Sequence, residues 1–190
     1  LFGILPNIGP NPNSWTMVKY QMNFPGNGDP YYTNEAGARA NYYGVTGIPR
    51  LEINGAWNSN PGGLSQPTID TYNTPAFLDI GAEFTIMGNT IDIEATFTST
   101  KDTLGLTDPS LVYHIVIMEH ETNQNTGTNG ETYFNYVMKK MVPDSSGTPI
   151  GPFSANIPVS VNHSYTFQGS YILPPDGNNP INHNTEHTIE

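Results

Sequence analysis

From residue 77 onward, apolar and polar positions alternate with a period of two. Ile91, Ile93, Ala95 and Phe97 interleave with Asp92, Glu94, Thr96 and Thr98, which puts one face of a strand in a core and the other in water. The same reading predicts strands over Phe77–Ile86, Thr90–Ser99, Leu111–Glu121, Tyr133–Met141, Ile157–Val161 and Tyr165–Leu173. Between Leu111 and Met118 both parities are apolar, or nearly so, so this strand is expected at the centre of its sheet with both faces covered.

Before residue 77 the pattern differs. Thr16–Met22 reads as a strand and Asn23–Pro30 as a long turn. Tyr32–Tyr43 reads as the one convincing helix, with Thr33 or Asn34 as its N-cap and Gly44 as its stop. Ile48-Pro49 opens a short strand, Leu51–Ile53, and Asn54-Gly55 is a strong hairpin signal. Strand, helix and strand in this order predict a right-handed parallel crossover. The turn-rich connector over 56–75 holds the expected boundary, giving an α/β unit over 1–72 and an antiparallel sandwich of immunoglobulin type over 73–190. The expected fold class is thus mixed and mostly β.

Composition narrows the functions. Asn, Thr, Gly and Pro supply 79 of 190 residues, a bias toward strands and turns that resembles extracellular β-rich proteins. Six Lys and Arg face 17 Asp and Glu, for a net charge of −11, so neither a phosphate backbone nor an anionic membrane surface attracts the chain. No apolar run approaches the roughly 20 residues of a helical membrane span. No cysteine occurs, so these residues offer no disulfide, thiolate metal site or thiol redox chemistry.

Thr46-Gly47-Ile48-Pro49, a strand and Asn54-Gly55 resemble the second half of a thioredoxin-like domain, which implies a cis proline at Ile48-Pro49. More broadly, KYQMNFPGNGDPYYTNEAGARANYYGVTGIP (19–49) and NYVMKKMVPDSSGTPI (135–150) resemble the bacterial family described as 28-kDa outer-membrane-protein-related. The resemblance covers most of 15–161. It implies a thioredoxin-like domain followed by a β-sandwich, export to the cell envelope or surface, and no established activity. The family usually carries a Cys-x-x-Cys-type helix start before the first strand seen here, and one more strand after the region of Ile189. Position 50 is Arg where a thioredoxin usually has a small residue.

Candidate sites are few. Without cysteine, Ile48 and Pro49 are expected to shape a turn rather than seat a redox substrate. Asp29, Asp176 and Asn178 offer oxygen ligands of the kind calcium takes, although Asx-Gly pairs are ordinary turn chemistry. His183-Asn184-Thr185-Glu186-His187 matches H-x-x-E-H, but zinc chemistry needs both histidines on one helical face, and Asn and Thr favour a loop or strand. The aromatic residues Trp15, Tyr20, Tyr31, Tyr32, Tyr42, Tyr43 and Trp57 either line a glycan or peptide groove or fill the core of a small domain.

The expected function is that of a non-enzymatic, exported cell-surface protein with protein partners, by self-association or otherwise, and with no nucleic acid and no membrane span. Its sharper form makes Leu1, Phe2, Ile4 and Leu5 an apolar arm that adds as a strand to a neighbour's sheet and builds a fibre. One alternative is a thiol-disulfide oxidoreductase or redox chaperone whose Cys-x-x-Cys pair lies upstream of Leu1. The other is a glycan- or peptide-binding module. No bound cofactor is expected, calcium being the only candidate.

Overall fold

The computed structural model describes residues 16–72, 78–101, 112–123, 125–150, 161–162, 164–172 and 187–189. The chain is mostly β, with antiparallel sheets, and divides into two compact units. Among the described residues, 16–17 and 38–72 form one unit, and 18–37 with those from 78 onward form the other.

In the first unit, β1 (Leu51–Ile53) pairs antiparallel with β2 (Trp57–Ser59). The hairpin turns at Asn54-Gly55, where φ is 50° and 66°. Beyond a 3-10 turn at Pro61–Gly63, the connector holds a helix that its composition hides, α2 (Gln66–Tyr72). Ser65 Oγ accepts from Thr68 N, and Gln66 donates to Asp70 one turn on. The helix read over Tyr32–Tyr43 spans Asn34–Tyr42 (α1); its first turn, with Thr33 Oγ1 accepting from Ala36 N as the N-cap, belongs to the second unit and its remainder to the first. Gly44, at φ 61°, ends it, and Val45 N donates back to Ala40 O.

In the second unit, one sheet has the order β3 (Leu78–Met87), β4 (Thr90–Ser99), β9 (Ser164–Ile172). The other has the order β10 (His187–Ile189), β6 (Ile115–Thr122), β7 (Phe134–Val142). A short ladder joins β5 (Val112–Tyr113) to β8 (Thr148–Pro149). Ile91, Ile93, Ala95 and Phe97 of β4 share one core with Tyr113, Ile115, Ile117, Val142 and Ile150. β6 is central in its sheet, and Ile115, Val116, Ile117 and Met118 are all buried, so both of its faces are covered. The expected strand over Leu111–Glu121 breaks at His114, and a register shift falls between Ile117 and Met118.

Segment 18–37 belongs to this second unit, which departs from a single unit over 1–72. The strand expected over 16–22 reduces to one parallel bridge: Lys19 N donates to Tyr136 O, and Met138 N donates to Lys19 O. Lys19 thus pairs with β7, while β1 pairs with β2, and the expected parallel ladder between 16–22 and 51–53 is not formed. The reason is that segment 18–37 carries apolar mass suited to the second sheet. Tyr31, Phe134 and Val137 form a fully buried cluster, with the Tyr31 and Phe134 rings edge to face at 4.9 Å. Gly28, at φ 77°, makes the preceding turn tight; a Cβ there would sit 2.6 Å from the Asn23 backbone.

Candidate interaction surface

The register of β3 on β4 creates the most unusual surface of the second unit. Directly opposed residues share a face, so Ile80, Ala82, Phe84 and Ile86 lie on the same face as Phe97, Ala95, Ile93 and Ile91. The β4 residues are buried at 0–4% exposure, whereas Ile80 is 61%, Phe84 38% and Ile86 39% exposed. Of the inner row of β3, Leu78 packs partly against the core. β10, at the border of the opposite sheet, comes near β3, and Ile80, Phe84 and Ile86 remain exposed. Beside β4, β3 has no other strand partner among the described residues.

Among the described residues β3 is therefore a ten-residue edge strand, unbroken in register. Proteins usually blunt such edges by bulges, prolines, shortness, charges or a covering segment; β3 has no bulge, proline or inward charge, and its charges are the outward Asp79 and Glu83. Covering Ile80, Phe84 and Ile86 would contribute about 1 kcal/mol each, scaled from full side-chain burial to their present exposure. The outer row, Asp79, Gly81, Glu83, Thr85 and Met87, faces water. On that side Thr98 and Thr96 bond Ser164 and Thr166 at 2.9 and 3.1 Å, and Glu94 and Asp92 accept from Gln168 and Ser170.

A second concentration of chemistry lies inside the same unit. Lys139 Nζ is 2.9 Å from Glu119 Oε2, and both side chains are fully buried. The ammonium also sits 3.8 Å from the centre of the Tyr31 ring. Burial pushes the Lys139 pKa down to about 8, against the pull of Glu119 and Asp29. Burial likewise raises the Asp29 carboxyl, partly offset by the Tyr31 N–H that it accepts at 2.8 Å. Tyr31 Oη and Thr122 Oγ1 share a buried hydrogen bond of 3.0 Å. The pair is closed off from solvent, so its geometry suits a structural ion pair rather than a reaction centre.

In the first unit, an open groove of about 510 Å³ is lined by Tyr42, Tyr43, Arg50, Glu52, Asn54, Gly55 and Asn58. Tyr42 is 74% exposed. The Arg39 guanidinium lies 4.9 and 4.8 Å from the ring centres of Tyr42 and Tyr43 and donates to Tyr43 Oη. Arg50 Nε donates to Glu52 Oε1 at 2.7 Å, so this pair neutralises itself.

The residues singled out in the sequence are dispersed. Ile48-Pro49 is a cis peptide, as are Phe24-Pro25 and Val142-Pro143, and Ile48 is exposed. Leu1, Phe2, Ile4, Leu5, Trp15, Asp176 and Asn178 lie outside the described residues. The Asp29 carboxylate closes a turn, and no described group of His, Asp and Glu is arranged to hold a metal ion. His187 opens strand β10, which is not the helix that H-x-x-E-H zinc chemistry uses. The aromatic set splits, Tyr31 entering the core and Tyr42 with Tyr43 bordering the groove. Sequence reading missed the uncovered row of β3 and the Lys139–Glu119 pair; a lysine inside the apolar run from Phe134 to Val142 was the available signal for the second. No protein-family model, curated protein or solved structure matches the chain.

Proposed function

We propose that the chain is a non-enzymatic interaction protein of the bacterial cell surface, working by strand addition. In this reading the second unit is an immunoglobulin-like sandwich that offers β3 to an extended segment of another chain, and the first unit is a partial thioredoxin-like fold kept for its shape. The observation that carries it is the inner row of β3, exposed while its registered partners on β4 are buried. The Asn-, Thr-, Gly- and Pro-rich composition and the resemblance to the 28-kDa outer-membrane-protein-related family support the location. The test is hydrogen exchange of the β3 amides with and without a ten-residue Thr-Val alternating peptide at millimolar concentration. Protection confined to β3 is expected; unchanged exchange overturns the reading.

The groove supports a second reading, a glycan-binding module. Exposed Tyr42 offers a ring face, and Asn54, Asn58 and the self-neutralised Arg50–Glu52 pair suit a neutral, hydroxyl-rich ligand. Neutral hexasaccharides should change the fluorescence of Trp57, which pairs with Ile53 on the same hairpin, in the native chain and not in Tyr42→Ala. An equal response in both overturns it.

A further inference from the structure

The outer row of β3 specifies what kind of strand the edge accepts. Strands β3, β4 and β9 together carry Asp79, Glu83, Asp92 and Glu94 and no Lys or Arg. Asp92 and Glu94 are engaged by Ser170 and Gln168 of β9. Asp79 and Glu83 stand at the open side, with no ion-pair partner among the described residues. Beside Glu83, a shallow depression of about 320 Å³ is lined by Asp92, Glu94, Gln168 and Ser170, wide enough to receive a long basic side chain.

We propose that the occupant of β3 is an extended segment of a different chain, apolar at alternate positions and carrying Lys or Arg four residues apart on its other face. This rests on the strand-addition reading. The spacing follows from the pleat: Asp79 and Glu83 share a face and are four residues apart, so the residues opposite them are also four apart, whether the added strand runs parallel or antiparallel. Between them the added strand meets Gly81, which makes no demand, and on the inner face it covers Ile80, Ala82, Phe84 and Ile86.

Within these 190 residues, a second copy supplies no segment that meets this requirement. Antiparallel pairing of two β3 strands about Gly81 would set Asp79 of each copy against Glu83 of the other, two like-charge pairs on one face. The six basic residues are Lys19, Arg39, Arg50, Lys101, Lys139 and Lys140, and no two of them are four apart. The apolar residues Leu1, Phe2, Ile4 and Leu5 offer no cation to the acidic row.

The test uses three ten-residue peptides with one inner row of Val and Ile and with Lys, Ser or Glu at the two outward positions. Affinity is read by calorimetry in low salt and β3 docking by hydrogen exchange. The Lys peptide is expected to bind about tenfold tighter than the Ser peptide, and the Glu peptide weakest, with the differences shrinking at high salt. The double variant Asp79→Lys/Glu83→Lys should invert the order; both sites are exposed, so folding is preserved. Ile80→Lys should abolish binding of all three. Equal protection of β3 by all three peptides would keep strand addition and overturn the basic partner. No protection by any of them would overturn both. A dimer in sedimentation that Ile80→Lys dissolves would make a second copy the occupant and overturn the inference.

Discussion

Ile80 and Phe97 are opposed across β3 and β4 and share one face of the sheet, yet Phe97 is 4% exposed and Ile80 61%. The core of the second unit therefore stops between two hydrogen-bonded neighbours. Burial there is decided by what lies across the gap, not by the strand's own pattern.

That boundary sets a contrast in stability. Phe97→Ala opens a cavity beside Tyr113 and Tyr165 and should cost about 3–5 kcal/mol. Ile80→Lys, at an open position, should stay within about 0.5 kcal/mol of the native chain. Urea unfolding of the two variants checks this. Comparable losses would mean that the inner row of β3 is covered in solution.

Lys139 and Glu119 should behave as a buried pair. Lys139→Met leaves the Glu119 carboxylate without its cation and should destabilise by about 3–5 kcal/mol. The double variant Lys139→Met/Glu119→Leu should recover that loss, ending close to or above native stability. Additive losses in a double-mutant cycle would show that the pair is not coupled.

The same lysine sets a pH dependence. Its folded pKa of about 8 lies below the ordinary lysine value of 10.5. Between these values the unfolded chain holds a proton that the native chain has released, so the native state gains stability as pH rises through this window, by at most about 1.4 kcal/mol per pH unit. Below pH 8 both states are protonated, and the cost of burying the ammonium is borne in full. The native chain minus the double variant, compared at pH 7 and 9.5 by denaturant titration, should show the rise. A flat or falling difference would place Lys139 in contact with water.

Tyr31 couples segment 18–37 to the second sheet through both its ring and its hydroxyl. Tyr31→Phe keeps the edge-to-face contact with Phe134 but leaves the buried Thr122 hydroxyl without this partner, a loss of about 1–3 kcal/mol. Adding Thr122→Val should return much of it. If the single variant is as stable as the native chain, water reaches that hydroxyl.

Much of the second unit was legible in the residues. Thr90–Ser99 alternates so regularly that its strand bounds agree with the structure, and the two-sided apolar run after Leu111 marked β6 as central. Asn54-Gly55 and Thr33 marked a hairpin and a helix start, because turns and caps are satisfied by atoms within a few residues. Other features had no local signature. Thr16–Met22 reads as a strand, yet only Lys19 finds a bridging partner, because a ladder needs a regular neighbour and Tyr136, at φ 55°, departs from strand conformation where β7 meets Lys19.

The sequence by itself determined the periods, turns and caps, the acidic balance and the absence of cysteine, since each is a property of neighbouring residues or of the total. Only the tertiary structure decided that segment 18–37 packs on the second sheet, that Lys139 is buried against Glu119, and that the inner row of β3 lies open. Ile80, Phe84 and Ile86 fall on the same period of two and have the same chemistry as Ile91, Ile93 and Phe97. An apolar row records which face of a strand seeks cover, and long-range packing decides whether cover arrives.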